Sequence, residues 1–143
     1  VSVQVSVADC LFCKMVQGDI APIKVYEDDN VMVIMDIFPE SKGHLLIIPK
    51  AHYDDLLTMP SALLTAVMAL SQRLAVAAKA ALAADGIKIV QYNGKAAGQT
   101  VFHYHMHVIP AYTGQPFARH ATKPADEDEL RALANRIADN LRD

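Results

Sequence analysis

The sequence has little of what marks several protein classes. Two cysteines in 143 residues do not make a disulfide-stapled scaffold. Thirteen Lys and Arg stand against sixteen Asp and Glu, a formal net charge of −3, and there is no basic block of the kind that neutralises a phosphate backbone. No nucleic-acid partner is expected. Apolar runs stop short of membrane-spanning length, and Arg73 and Lys79 interrupt the longest helical candidate, so no membrane partner is expected either. The opening Val1 to Val7 alternates like a strand but lacks the basic flank and long apolar run of a signal peptide. A cytoplasmic location is the expectation. Repeats, low-complexity tracts and linkers are absent.

What is present is globular: 52% of residues are hydrophobic and 20% charged. One domain is expected over residues 9–112. Residues 1–8 would be an extension, processed or appended, and 113–143 a C-terminal loop and helix. Leu11 to Val16 reads as a short helix closed by Gly18, Ile23 to Glu27 as a strand, and Val31 to Ile37 as a strongly β stretch. His44 to Ile48 and Gly86 to Tyr92 are further strands. Pro60 to Ala84 is the clearest helix, with Pro60 in its first turn, Gly86 as its stop and an apolar stripe at Leu63, Val67, Leu70, Leu74, Ala77 and Ala81. A charged amphipathic helix is expected over Asp126 to Leu141.

Several polar positions stay open on residue chemistry alone. Cys10 and Cys13 could be a redox pair, half of a zinc site, or two small buried hydrophobes. Asp36 could cap a strand end or accept hydrogen bonds from a sugar diol. His52 is a lone loop histidine, and Gly98-Gln99-Thr100 is either a simple turn or an anion-binding nest.

The organising stretch is Val101 to Pro110, where His103, His105 and His107 alternate with apolar residues. In a strand Phe102, Tyr104, Met106 and Val108 would enter the core, and the imidazoles would line the other face about 6 to 7 Å apart. A row of imidazoles contributes little to packing, which points to chemistry.

His103-Tyr104-His105-Met106-His107-Val108-Ile109 fits His-x-His-x-His-x-x and resembles the histidine-triad (HIT) superfamily of nucleotide hydrolases and transferases, most of all the bacterial HIT-like proteins. The resemblance runs from about Asp9 to Tyr112, through Phe12-Cys13-Lys14, Asp36, Pro39, Gly43-His44, Ile48-Pro49-Lys50-x-His52 and Asn93-Gly94. It implies an α+β fold, an antiparallel sheet of about five strands flanked by helices, and a homodimer. The catalytic row that the resemblance implies is His103, His105 and His107, with His105 as the nucleophile that attacks the α-phosphorus of a nucleoside phosphoramidate or dinucleoside polyphosphate.

 

His44 and His107 would polarise the phosphate oxygens, and Thr100 with the N–H groups around Gly98 and Gln99 would donate to them. Asn93 would hold that loop. Asp36 would accept from the ribose hydroxyls, and Leu11, Phe12, Met15, Ile34 and Ile37 would line the cleft for a purine base. The products would be AMP or GMP. His at position 107, where transferase branches carry Gln, favours hydrolysis over transfer. The same resemblance gathers Cys10, Cys13, His52 and His103 into a closed structural zinc site, with no organic cofactor. Two other readings remain: a metal-dependent hydrolase with His103, His105 and His107 on one ion, and a nucleotide-binding interaction module with vestigial catalysis.

Overall fold

The computed structural model describes residues 8–118 and 124–141. The alternating stretch Val1 to Val7, expected to be extended, lies outside the described residues. Five antiparallel strands form one sheet: β1 Lys24–Glu27, β2 Val31–Met35, β3 Leu45–Pro49, β4 Gly86–Val90 and β5 Met106–Ala111, in the spatial order β1-β2-β3-β5-β4. The helices are α1 Leu11–Gln17, α2 Ser61–Leu82 and α3 Glu127–Asn140. The expected α+β class and five-stranded antiparallel sheet are what the chain forms.

Register sorts the strand residues onto two faces. Met35, Leu45, Val108 and Ile89 make one row, and Val33, Ile47 and Met106 the next. This face packs against Val67, Leu70, Leu74, Ala77 and Ala78 of α2 and Leu130, Leu133, Ala134 and Ile137 of α3. The opposite face carries Ile34, Leu46, His107 and Val90 in one row. There Met32, Ile34, Leu46 and Ile48 cluster with Cys10, Phe12 and Cys13 at α1. With both faces covered, β2 and β3 are buried at every position, so their sequences read as apolar runs rather than alternation. The half of that face toward β4 bears His44, His107 and Lys88.

α2 begins where expected, the Pro60 carbonyl accepting from Leu63 and Leu64. By length and composition it could cross a membrane, but its apolar stripe is seated on the sheet. It does not run on to Gly86. Ala83 takes the left-handed conformation, φ 54°, and caps the helix, and the Asp85 N–H already bonds Ala111 O at the start of β4. α1 closes at Gly18, φ 89°, and Asp126 caps α3 by accepting from the Glu129 N–H.

The largest departure concerns the histidine stretch. Only Met106–Ala111 is strand. The β3 ladder ends at Ile47↔Met106 and the β4 ladder at Val90↔His107, so residues 103–105 have no strand beside them. The Tyr104 N–H bonds Tyr53 O instead, at 2.7 Å. Phe102, expected in the core, is 46% exposed, while His103 is fully buried. Of the three histidines only His107 therefore lies within the strand.

Candidate active site and metal centre

Each of the three histidines has a different hydrogen-bonding environment. His103 donates from Nε2 to Pro49 O at 2.7 Å, the carbonyl that closes β3. Its Nδ1 then carries the lone pair, and it lies 3.3 Å from Cys10 Sγ and 3.5 Å from Cys13 Sγ. His52 is built the same way: Nε2 faces Asp54 Oδ1 at 2.9 Å and Nδ1 faces Cys13 Sγ at 3.3 Å. The four donor atoms of Cys10, Cys13, His52 and His103 all lie within 4.8 Å of one another. A tetrahedral ion with bonds of about 2.0–2.3 Å needs S···N separations of about 3.5 Å, so the set fits zinc. An oxygen acceptor on the far nitrogen of each imidazole fixes the tautomer a metal requires. Cys10 also caps α1, accepting from the Cys13 N–H at 3.4 Å.

His105 donates from Nδ1 to the His103 carbonyl at 2.8 Å, which puts its lone pair on Nε2. The Phe12 ring meets it edge-on, centroids 5.0 Å apart, and the His107 ring lies 5.1 Å away. Burial lowers the His105 pKa, opposed by the carbonyl bond. A neutral imidazole with a defined lone pair is a nucleophile at neutral pH.

His44 and His107 share a proton chain. The Glu40 N–H donates to His44 Nδ1 at 3.0 Å, so the His44 proton sits on Nε2 and is directed to His107 Nδ1 at 2.9 Å. Asp36 Oδ2 lies 3.4 Å from the same Nε2, and Asp36 Oδ1 accepts from the Phe38 N–H. His107 is thereby left with Nε2–H, a donor for a third party. Asp36, His44 and His107 are also close enough to hold a metal. The donor chemistry opposes it, because an ion on His44 Nε2 would push the proton onto Nδ1, against the Glu40 N–H. The Cys10 cluster has no such conflict.

Burial, then the neighbouring His107, pushes the His44 pKa down to about 3; burial, then His105, pushes His107 down to about 4. Both folded values lie below the ordinary 6.5, so the pair contributes stability above pH 6.5 that is lost as pH falls toward 4 and 3. The melting temperature is expected to drop steadily between pH 7 and pH 4, and less steeply in His107→Gln. An equal slope in the variant would assign the acid lability elsewhere.

The turn before the histidines is braced internally. Gln99 is buried, its Oε1 accepting from Gly94 N and its Nε2 donating to Asp54 O and Val101 O. The Gly98 and Gln99 amides close the turn onto Lys95 O and Gly94 O, so these two N–H groups, expected to face an anion, are engaged within the turn. Thr100 is exposed. Asn93, at the start of the loop, accepts from the Leu56 N–H and exchanges bonds with Gln91. Of the apolar residues expected around a base, Leu11 and Ile37 are exposed and Met15 is half-buried, whereas Phe12 and Ile34 are buried in the cluster at α1.

Sequence reasoning missed Glu40, Pro49, Asp54 and Lys88. Glu40 and Pro49 act through backbone groups, which leave no trace in residue identity. Asp54, two residues after His52, was visible as a carboxylate. Lys88 pairs with Glu40 at 3.0 Å and lies over the Phe117 ring.

A family model described as the HIT domain matches residues 17–114. The chain is similar to a crystal structure of a HIT-like protein from Bartonella henselae, at 36% identity and a TM-score of 0.89, covering 96% of this chain and 100% of that one. It is also similar to a zinc-bound histidine triad family protein from Mycobacterium smegmatis, at 40% identity and a TM-score of 0.81, covering 93% of each. Adenylylsulfatase HINT3 of Arabidopsis thaliana is 37% identical over 121 residues, 80% of this chain and 61% of that protein.

Proposed function

From the premise that the chain belongs to the HIT family, which includes hydrolases and nucleotide-binding proteins, we propose that it is a hydrolase of nucleoside 5′-phosphoramidates or dinucleoside polyphosphates. The observation that carries the reading is the pair of tautomers: His105 with its lone pair on Nε2, beside His107 with its proton on Nε2. A nucleophile and a donor thus stand on neighbouring rings, 5.1 Å apart between centroids.

His105 Nε2 attacks the α-phosphorus, and the leaving group departs with the bonding electron pair. The His107 Nε2–H donates to a phosphoryl oxygen, which gains charge in the transition state. Thr100 is the remaining donor from the turn. Water then displaces the imidazole and AMP or GMP leaves. Asp36 receives the ribose hydroxyls, and Leu11, Met15 and Ile37 offer apolar surface to the base. Cys10, Cys13, His52 and His103 hold zinc, which supplies structural cross-linking and takes no part in the displacement. The protein acts as a homodimer, a reading supported by exposed Met68 and Val76 on α2 and Ile89 on the edge strand β4.

The metal-hydrolase reading has the wrong geometry behind it. His103 directs Nδ1 to the thiols and His105 directs Nδ1 to a carbonyl, so the three rings do not converge on one ion. Incubation with an adenosine phosphoramidate and with diadenosine polyphosphates, with and without EDTA, tests the proposal. AMP release that EDTA does not abolish is expected; no turnover on either substrate would leave a nucleotide-binding module.

A further inference from the structure

We propose that Phe12 is a positioning residue for His105, and that the Cys10–Cys13 turn holds it in place. The proposal rests on the reading of His105 as nucleophile and concerns what aims it. Phe12 is only 4% exposed, so a nucleobase finds almost none of its surface to stack on. Its ring instead fills the corner between two imidazoles. It meets His105 at 5.0 Å with an interplanar angle of 70°, and His103 at 5.7 Å and 89°.

Those contacts supply what the hydrogen bonding lacks. Beyond its covalent link through Cβ, the His105 ring is tied by the Nδ1–H bond to the His103 carbonyl, and packing must limit the side-chain rotation that would break this bond. Phe12 and His107 both pack against the ring, at centroid distances of 5.0 and 5.1 Å, and restrict that rotation. The edge-to-face arrangement is directional, because the positive edge of one ring meets the negative face of the next. Phe12 in turn cannot move independently of the thiols. It lies between Cys10 and Cys13 in sequence, and the Cys13 N–H to Cys10 Sγ bond closes the turn that carries it. A metal on the two thiols would hold that turn. The cluster and the nucleophile thus share two links, Phe12 and the His103 backbone.

The test compares wild type, Phe12→Leu and Ile48→Val, each as purified with its metal. Ile48 belongs to the same buried cluster and serves as the packing control. The readouts are kcat, the Kd for AMP, and the ring nitrogen shifts of His105. Phe12→Leu is expected to lower kcat by about 10- to 100-fold, since small misplacements of reacting atoms have effects of this size, with the Kd for AMP within about twofold. The His105 shifts move from the single Nδ1–H tautomer toward a mixture. Ile48→Val leaves tautomer and kcat in place. Weakened AMP binding with kcat intact would return Phe12 to the base cleft and overturn the proposal. So would an equal kcat loss in Ile48→Val. Should Phe12→Leu not fold, cross-relaxation between the Phe12 and His105 rings in wild type decides, and its absence overturns the proposal. If wild type releases no AMP, the functional reading fails, while the nitrogen shifts still report on Phe12.

Discussion

His105→Ala is expected to abolish AMP release, with kcat falling by more than about 10³-fold on every nucleotide substrate. No other group can take over. His103 points its lone pair at the thiols, and His107 Nδ1 accepts from His44, leaving only a protonated Nε2. The loss should fall on kcat rather than on binding, because Asp36 and the exposed apolar residues at Leu11 and Ile37 are untouched. Intact mass of wild type quenched during turnover should show a nucleotidyl adduct that the variant lacks. Activity that survives in His105→Ala and disappears with EDTA would replace the covalent mechanism with a metal-dependent one.

The fold was legible because its signals are periodic. Leu63, Val67, Leu70 and Leu74 repeat at helical spacing, and β2 and β3 are apolar along their whole lengths. The histidine stretch misled for a related reason. Alternation from Phe102 to Val108 is a strand signal, but a strand also needs neighbours, and the ladders on both sides stop at Met106 and His107. Sequence periodicity carries no information on where a partner strand ends. His103 then turns inward to the Pro49 carbonyl, which inverts the expected burial of Phe102 and His103. Tautomers were equally out of reach. The assignment of His44 depends on the Glu40 amide and that of His105 on the His103 carbonyl, and every residue type has these groups. Identity could nominate the histidines, whereas their roles follow from backbone placement.

Removing the metal-binding thiol pair has the second large expected effect, on stability rather than chemistry. Wild type should hold one zinc per chain, and Cys13→Ser should hold none, because Cys13 Sγ is the atom within 3.5 Å of both imidazoles. A ligand at about a thousandfold over its Kd stabilises by about 4 kcal/mol. In a domain of this size that corresponds to a melting temperature lower by about 10 °C. The same drop should follow from chelation of wild type and be absent in the variant, since both remove one interaction. Thiolates are the ligands, so zinc affinity should weaken as pH falls. The cluster joins elements far apart in sequence: Cys10 and Cys13 at α1, His52 after β3, and His103 before β5. Its loss therefore loosens the backbone on which His105 is mounted, and chelated protein should turn over more slowly without losing the histidine adduct. A Cys13→Ser protein with unchanged zinc content and melting temperature would show the four side chains to be an unligated core cluster.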